Sequence, residues 1–355
     1  MSIILAKVSL LLTLQLAYAG EQGKTLLAFG DSLAAGQLPG FIFRSGEGYN
    51  DYLFEHLQQR YGFDSLVDSS CTGDSAANAL NATFGLTTCD RESPPFYSFC
   101  YFEACLDDVF RPLLEGTSQV DAAERYMMDH PGEVGLITIS IGSNDFSDCI
   151  FVDNIQACVF AAFPDVSKNL PEILSRLGTF GVPIVGSNTF NPIIAFSLSD
   201  DPAIAELGPT TAPLFPIVNG LFEDIYQEFN CSFVDFFAVV NGNIIDEELA
   251  NVCRKTGMCN EANDGTLELT PELDFTDHQH PNELGYDLIG QAFVDVVDST
   301  HILPTESPTM SSVTFAPTAS PPVSLAPIVQ PVAPSGKKNK KSGKKHKKSK
   351  DSKKS

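Results

Sequence analysis

Three things are scarce in this chain of 355 residues: long apolar runs, positive charge and repetition. No stretch reaches the roughly 20 apolar residues that span a bilayer, which speaks against a transmembrane segment. Lys337 to Ser355 holds half of the chain's 22 Lys and Arg but only one of its 45 Asp and Glu, so the remainder carries 11 basic against 44 acidic residues. That excess of negative charge favours solubility and argues against nucleic acid or another anionic polymer as a partner of the main body. No internal repeat is visible, so a solenoid or propeller is not expected.

What is present divides the chain. Residues 1–19 carry Lys7, an apolar run from Val8 to Ala17 and a small-residue site at Ala17, Tyr18 and Ala19, the pattern of a signal peptide cut before Gly20. Residues 303–336 are rich in Pro, Ser and Thr, a composition that cannot bury a core and reads as a disordered linker. Residues 337–355 form a Lys-rich tail, also expected to be disordered, which reads either as an anchor on an anionic surface or as a solvated extension. Residues 20–302 remain as one domain, secreted or held at a cell wall.

Nine cysteines in such a chain point to disulfides rather than metal ligands. Cys149 with Cys158 and Cys253 with Cys259 are natural local pairs, and the odd number leaves at least one thiol over. Asn81 and Asn230 begin Asn-X-Ser/Thr acceptors for glycosylation.

The pattern predicts a strand at the Thr25 end of TLLAFGDSLAAG, a helix over Gly48 to Tyr61 and a strand over Ser65 to Ser70. A helix from Ser118 to His130 and a strand from Gly135 to Ile141 follow, then a helix from Asp165 to Leu177 and a strand from Val182 to Phe190. Asn191 to Pro216 reads as a long irregular insertion, a lid or a substrate wall. A helix within Ala212 to Phe229, a fifth strand from Cys231 to Val240, a second irregular segment from Asn241 to Phe275 and a last helix from about Asn282 to Val297 complete the domain. Strands alternating with helices imply a three-layer α/β/α domain with a mostly parallel five-stranded sheet.

In such a sheet the carboxyl ends of the strands face the ligand. Four features fall there: Ser32, Gly73, Asn144, and Asp277 with His280. Taken singly, Ser32 reads as a helix N-cap, Asn144 as a turn residue, and His280 as a solvated loop histidine or, with His278, a metal ligand. Taken together, they suit nucleophilic catalysis, in which a carboxylate three residues before the imidazole holds its tautomer and the imidazole takes a proton from a serine hydroxyl.

With GDSL at Gly30 to Leu33, GxND at Gly142 to Asp145 and DxxHP at Asp277 to Pro281, the chain resembles the SGNH or GDSL hydrolases. The nucleophile-elbow motif GxSxG of the α/β-hydrolases is absent at Ser32. The resemblance implies a flavodoxin-like fold, Ser32 as nucleophile, His280 as general base and Asp277 as its orienting partner. It also implies an oxyanion hole made by the backbone N–H groups of Ser32 and Gly73 and the side-chain amide of Asn144. The expected activity is hydrolysis of carboxylic esters, as an esterase or lipase on a small-molecule, lipid or glycan ester, with no metal and no cofactor. RSGEGY (Arg44 to Tyr49) and CTGD (Cys71 to Asp74) look more like secreted microbial members than plant ones. A carbohydrate acetylesterase, or a surface-associated protein recruited by its tail, stands as the alternative.

Overall fold

A computed structural model describes residues 23–39, 48–70, 76, 118–242, 247–261, 266–269 and 280–304. The chain divides into two units, Met1–Ser307 and Pro308–Ser355, and all described residues lie in the first. Leu303, expected to open the disordered linker, is instead buried in the core; the leader, the linker from residue 305 on and the tail, Asn81, and Cys71, Cys89, Cys100 and Cys105 lie outside the described residues.

The frame is a five-stranded sheet of β1 (Thr25–Gly30), β2 (Ser65–Asp68), β3 (Val134–Ser140), β4 (Ile184–Ser187) and β5 (Ser232–Val234), in the order β2-β1-β3-β4-β5. Every neighbouring pair is parallel. Because side chains alternate across a strand, β1 sends Leu27 and Phe29 to one face and Leu26 to the other, and β3 divides Ile137 and Ile139 from Leu136 in the same way. Both faces are apolar, so both need helices.

On the first face lie α2 (Gln119–Asp129), α3 (Ile155–Gly178) and α6 (Phe215–Glu228), contributing Val120, Leu170, Leu174 and Phe222 to a common core. On the second, α1 (Tyr49–Tyr61) packs against α9 (Glu283–Thr300). There the Tyr49 and Phe293 rings stack at 4.7 Å, and Phe236 meets both edge-on. The result is the expected three-layer α/β/α domain.

Local differences from the sequence reading have identifiable causes. Helix α3 begins ten residues before Asp165, where the Asn154 side chain accepts the Ala157 N–H. Pro164 and Pro171 do not end it, and the carbonyls they deprive of a partner belong to Phe160 and Ser167, both exposed. The fifth strand stops at Val234 because Asp235 caps α7 (Phe236–Val240), accepting the Ala238 N–H at 3.0 Å.

Neither stretch read as irregular is featureless. Asn191 to Pro216 holds a 3₁₀ segment, Pro192–Leu198, and the short helices α4 (Pro202–Ala205) and α5 (Leu207–Thr211). The later segment holds α8 (Glu248–Lys255) and an antiparallel pair, β6 (Cys259–Glu261) with β7 (Leu267–Leu269). Both expected local disulfides are formed, Cys149–Cys158 and Cys253–Cys259, while Cys231 is a free thiol. No helix among the described residues is long and apolar enough to cross a membrane.

Candidate active site

Register decides what meets at the sheet edge. Gly30, the last residue of β1, pairs with Ser140, the last of β3, so the turns that follow these strands start side by side. Gly30 lies at φ 149°, where a Cβ would overlap the Ser140 carbonyl oxygen. Gly142, at φ 107°, lets the chain turn into a 3₁₀ segment, Ser143–Phe151, directly beside the Phe222 ring.

Ser32 is nearly buried, and its Oγ lies 2.8 Å from His280 Nε2 across 248 positions of sequence. Ser32 is not the cap of its turn. Asp31 takes that part, its Oδ1 accepting the Leu33 N–H at 3.0 Å, which leaves the serine hydroxyl available to the imidazole.

The turn is fastened from several sides. Buried Asn50 donates to the Ala34 carbonyl at 2.8 Å and accepts from the Thr138 hydroxyl. The Gln119 amide donates to the carbonyls of Gly30 and Ser69 at 2.8 and 2.7 Å, tying the ends of β1 and β2 together. The Tyr286 hydroxyl, kept protonated by burial, donates to the Gln37 carbonyl.

His280 precedes α9, and the chain there is pinned to the end of α8. The Asn282 N–H donates to the Lys255 carbonyl at 3.0 Å, Thr256 and Pro281 form an antiparallel bridge, and the Asn282 side chain caps α9 through the Gly285 N–H. At Gly285 a Cβ would collide with the Lys255 carbonyl oxygen, so only glycine permits this approach. The Cys253–Cys259 disulfide closes the same segment.

Asn144 lines one cleft with Ser32 and His280. Its neighbour Asp145 accepts the Ala76 N–H at 2.8 Å, linking the GxND turn to a residue eight positions past the end of β2. Ser32, Asn144 and His280 are thus brought together, whereas Gly73, Asp277 and His278 lie outside the described residues.

Sequence reasoning gave Asp31 no role beyond shaping the turn. It is 1% exposed, and burial pushes its carboxyl from the ordinary 3.8 up to about 7, with the nearby Asp145 adding to the rise and the Ser143 hydroxyl and Leu33 N–H opposing it. The available signal was an acidic residue at the end of an otherwise apolar strand.

The cleft encloses about 830 Å³ of non-atom space, open solvent included, and runs from Ser32 between Phe146, Ile155, Ile193, Leu214 and Val218. Ile193, Leu214 and Phe215 of the expected wall segment do line it, whereas Phe196 is buried in the core. The wall from α3 and α6 was not foreseen: Ile155 and Val159 lie before Asp165, where the sequence reading began that helix, and Val218 was given no role in the site.

The described domain is thus a parallel α/β/α sandwich with a serine and a histidine in contact beside an apolar cleft. Residues 26–293 match the GDSL-like Lipase/Acylhydrolase family, and the chain belongs to it; it is a carboxylic ester hydrolase. No curated protein matches the chain. Among solved structures it is similar to a catalytic mutant of an acetylxylan esterase from Geobacillus stearothermophilus, with 15% identity over 78% of this chain and 95% of the other and a TM-score of 0.40. It is also similar to an extracellular lipase from Streptomyces rimosus, with 13% identity over 78% and 99% and a TM-score of 0.43.

Proposed function

We propose that the protein is a secreted serine esterase that cleaves carboxylic esters through an acyl-enzyme on Ser32. The observation that carries this reading is the 2.8 Å contact between Ser32 Oγ and His280 Nε2. With its proton on Nδ1, His280 accepts the hydroxyl proton at Nε2 while Ser32 Oγ attacks the ester carbonyl carbon. Asp277 orients the imidazole, and the resulting imidazolium returns its proton to the departing alcohol. Water then repeats the sequence on the acyl-enzyme, releasing the acid and restoring Ser32. The backbone N–H groups of Ser32 and Gly73 and the side-chain amide of Asn144 receive the negative charge on the carbonyl oxygen, and losing one such donor typically costs about 100- to 1,000-fold in rate.

The apolar walls beside Ser32 support an alkyl acyl group as the part of the substrate that enters the cleft. Each methylene that leaves water for that surface adds about 0.8 kcal/mol. The leader at residues 1–19 and the two disulfides support secretion. The domain is assigned to residues 20–303, because Leu303 is buried in its core, the linker to 304–336 and the tail to 337–355, the last holding the enzyme on anionic surfaces. Asn230, exposed at the turn before β5, is an accessible glycosylation acceptor.

The test is hydrolysis of p-nitrophenyl acetate, p-nitrophenyl octanoate and acetylated xylan by the wild type and Ser32→Ala. Octanoate should exceed acetate by at least about tenfold in kcat/KM, and Ser32→Ala should abolish both. Equal rates in the two proteins would remove the nucleophile, and a preference for acetylated xylan would favour the carbohydrate acetylesterase.

A further inference from the structure

The Asp31 side chain does more than shape its own turn. Capping that turn needs one carboxylate oxygen, and Oδ1 provides it to the Leu33 N–H. The other oxygen, Oδ2, accepts the Ser143 hydroxyl at 2.7 Å, from the turn that follows β3. Chain order gives the contact its meaning. Ser32 lies between Asp31 and Leu33, and Asn144 directly follows Ser143, so one buried side chain spans from the turn with the attacking oxygen to the turn with an amide donor.

The other braces do not make this link. Asn50 ties Ala34 to Thr138 within β3, Tyr286 of α9 holds Gln37, and Gln119 ties Gly30 to Ser69 after β2, so none of them reaches the Ser143–Asn144 turn itself. Both atoms facing the Asp31 side chain are donors, an amide N–H and a hydroxyl, and a carboxylate satisfies two donors at once where an asparagine offers one acceptor and an NH₂. Burial beside Asp145 opposes a charge at this position, so an Asn would be the easier turn cap. The second acceptor is what the carboxylate adds.

We propose that Asp31 is a positioning residue for ester hydrolysis, clamping the Ser32 turn to the Ser143–Asn144 turn and thereby fixing the separation between the attacking oxygen and the oxyanion donor. The inference rests on Ser32 being the nucleophile. A clamp of this kind acts on the tetrahedral species, which uses both turns, and hardly on the bound ester, which uses neither fully.

The experiment measures, at about pH 8.5 where the Asp31 carboxyl is ionised, kcat and KM on p-nitrophenyl butyrate, and the inhibition constant of butylboronic acid, which forms a tetrahedral adduct on a serine oxygen. It uses the wild type, Asp31→Asn, Ser143→Ala, Ser143→Thr, the Asp31→Asn/Ser143→Ala pair and Ser32→Ala. The expected result is a kcat lowered by about 10- to 100-fold in Asp31→Asn and Ser143→Ala, with KM within about twofold and boronate affinity falling with kcat. The pair should be no worse than the more damaged single variant, because both break one link, and Ser143→Thr, which keeps the hydroxyl, should recover most of the rate. Wild-type kcat and boronate affinity in Ser143→Ala and in folded Asp31→Asn, with Ser32→Ala inactive, would overturn the clamp alone. So would a purely additive pair. Turnover persisting in Ser32→Ala would overturn the nucleophile and the clamp together.

Discussion

Asp31→Asn should change how stability depends on pH. The wild-type carboxyl is raised by burial from 3.8 to about 7, so the folded state holds a proton that the unfolded state releases. The sign follows: this group's contribution is fully present below pH 3.8 and is lost as pH rises through about 7. At about 1.4 kcal/mol per pH unit the whole loss is about 4 kcal/mol, of which about 2.5 kcal/mol falls between about pH 5 and pH 8.

The groups facing Asp31 belong to several elements. Tyr49 of α1, Tyr226 of α6 and Tyr286 of α9 are pushed up by burial and stay neutral through this window. Asp145 adds negative charge, Asp68 lies at the end of β2, and His280 is reached through Ser32. Asparagine keeps the shape and does not titrate, so the substitution isolates the one group while the others remain. Urea unfolding of both proteins at intervals across that range is the assay. The wild type should lose stability relative to Asp31→Asn as pH rises, by about 2.5 kcal/mol. Parallel curves, with a constant difference between the proteins, would refute the reasoning.

Leu214→Ala, which removes a side chain from the cleft wall, should lower kcat/KM for p-nitrophenyl octanoate by about tenfold or more while altering acetate by less than about threefold; a uniform loss would mean the acyl chain lies elsewhere. Removing the Cys149–Cys158 disulfide, which closes a short loop carrying Cys149, Ile150 and Ile155 of the cleft, should cost about 2–3 kcal/mol in urea unfolding and weaken octanoate more than acetate. Glu248 is buried, and its Oε1 accepts the side-chain amides of Asn191 and Asn241 at 3.1 and 2.9 Å. Glu248→Ala should therefore cost about 2–3 kcal/mol by stranding both donors, whereas Glu248→Gln, which keeps the acceptor, should recover at least half of it.

The parallel core was legible in the sequence because β1 and β3 are short apolar runs that end in Gly-containing turns, and because α1, α2 and α9 carry apolar residues at helical spacing. Where period fails, the reading failed. Phe236 to Val240 is apolar throughout and fits strand or helix equally, and only the capping bond of Asp235 decides it. The helix expected from Asp165 starts earlier, because the cap at Asn154 governs.

At the site, Ser32 and His280 were picked out by their surroundings in sequence, and the fold places them 2.8 Å apart. Asp31, Ser143, Asn50 and Gln119 were not, because each acts through a partner distant in sequence. Asp31 and Ser143, for example, are 112 positions apart and meet only through the register of β1 with β3. Local pattern carries no trace of such a pairing.

Ser32 Oγ is the proposed nucleophile, the atom that becomes acylated. A fluorophosphonate probe, which captures activated serine hydroxyls, followed by proteolysis and mass spectrometry, tests it directly. One covalent adduct on the peptide containing Ser32, lost in Ser32→Ala and slowed at least about 100-fold in His280→Ala, is the expected result. An adduct on a different serine, or undiminished labelling in Ser32→Ala, would contradict it.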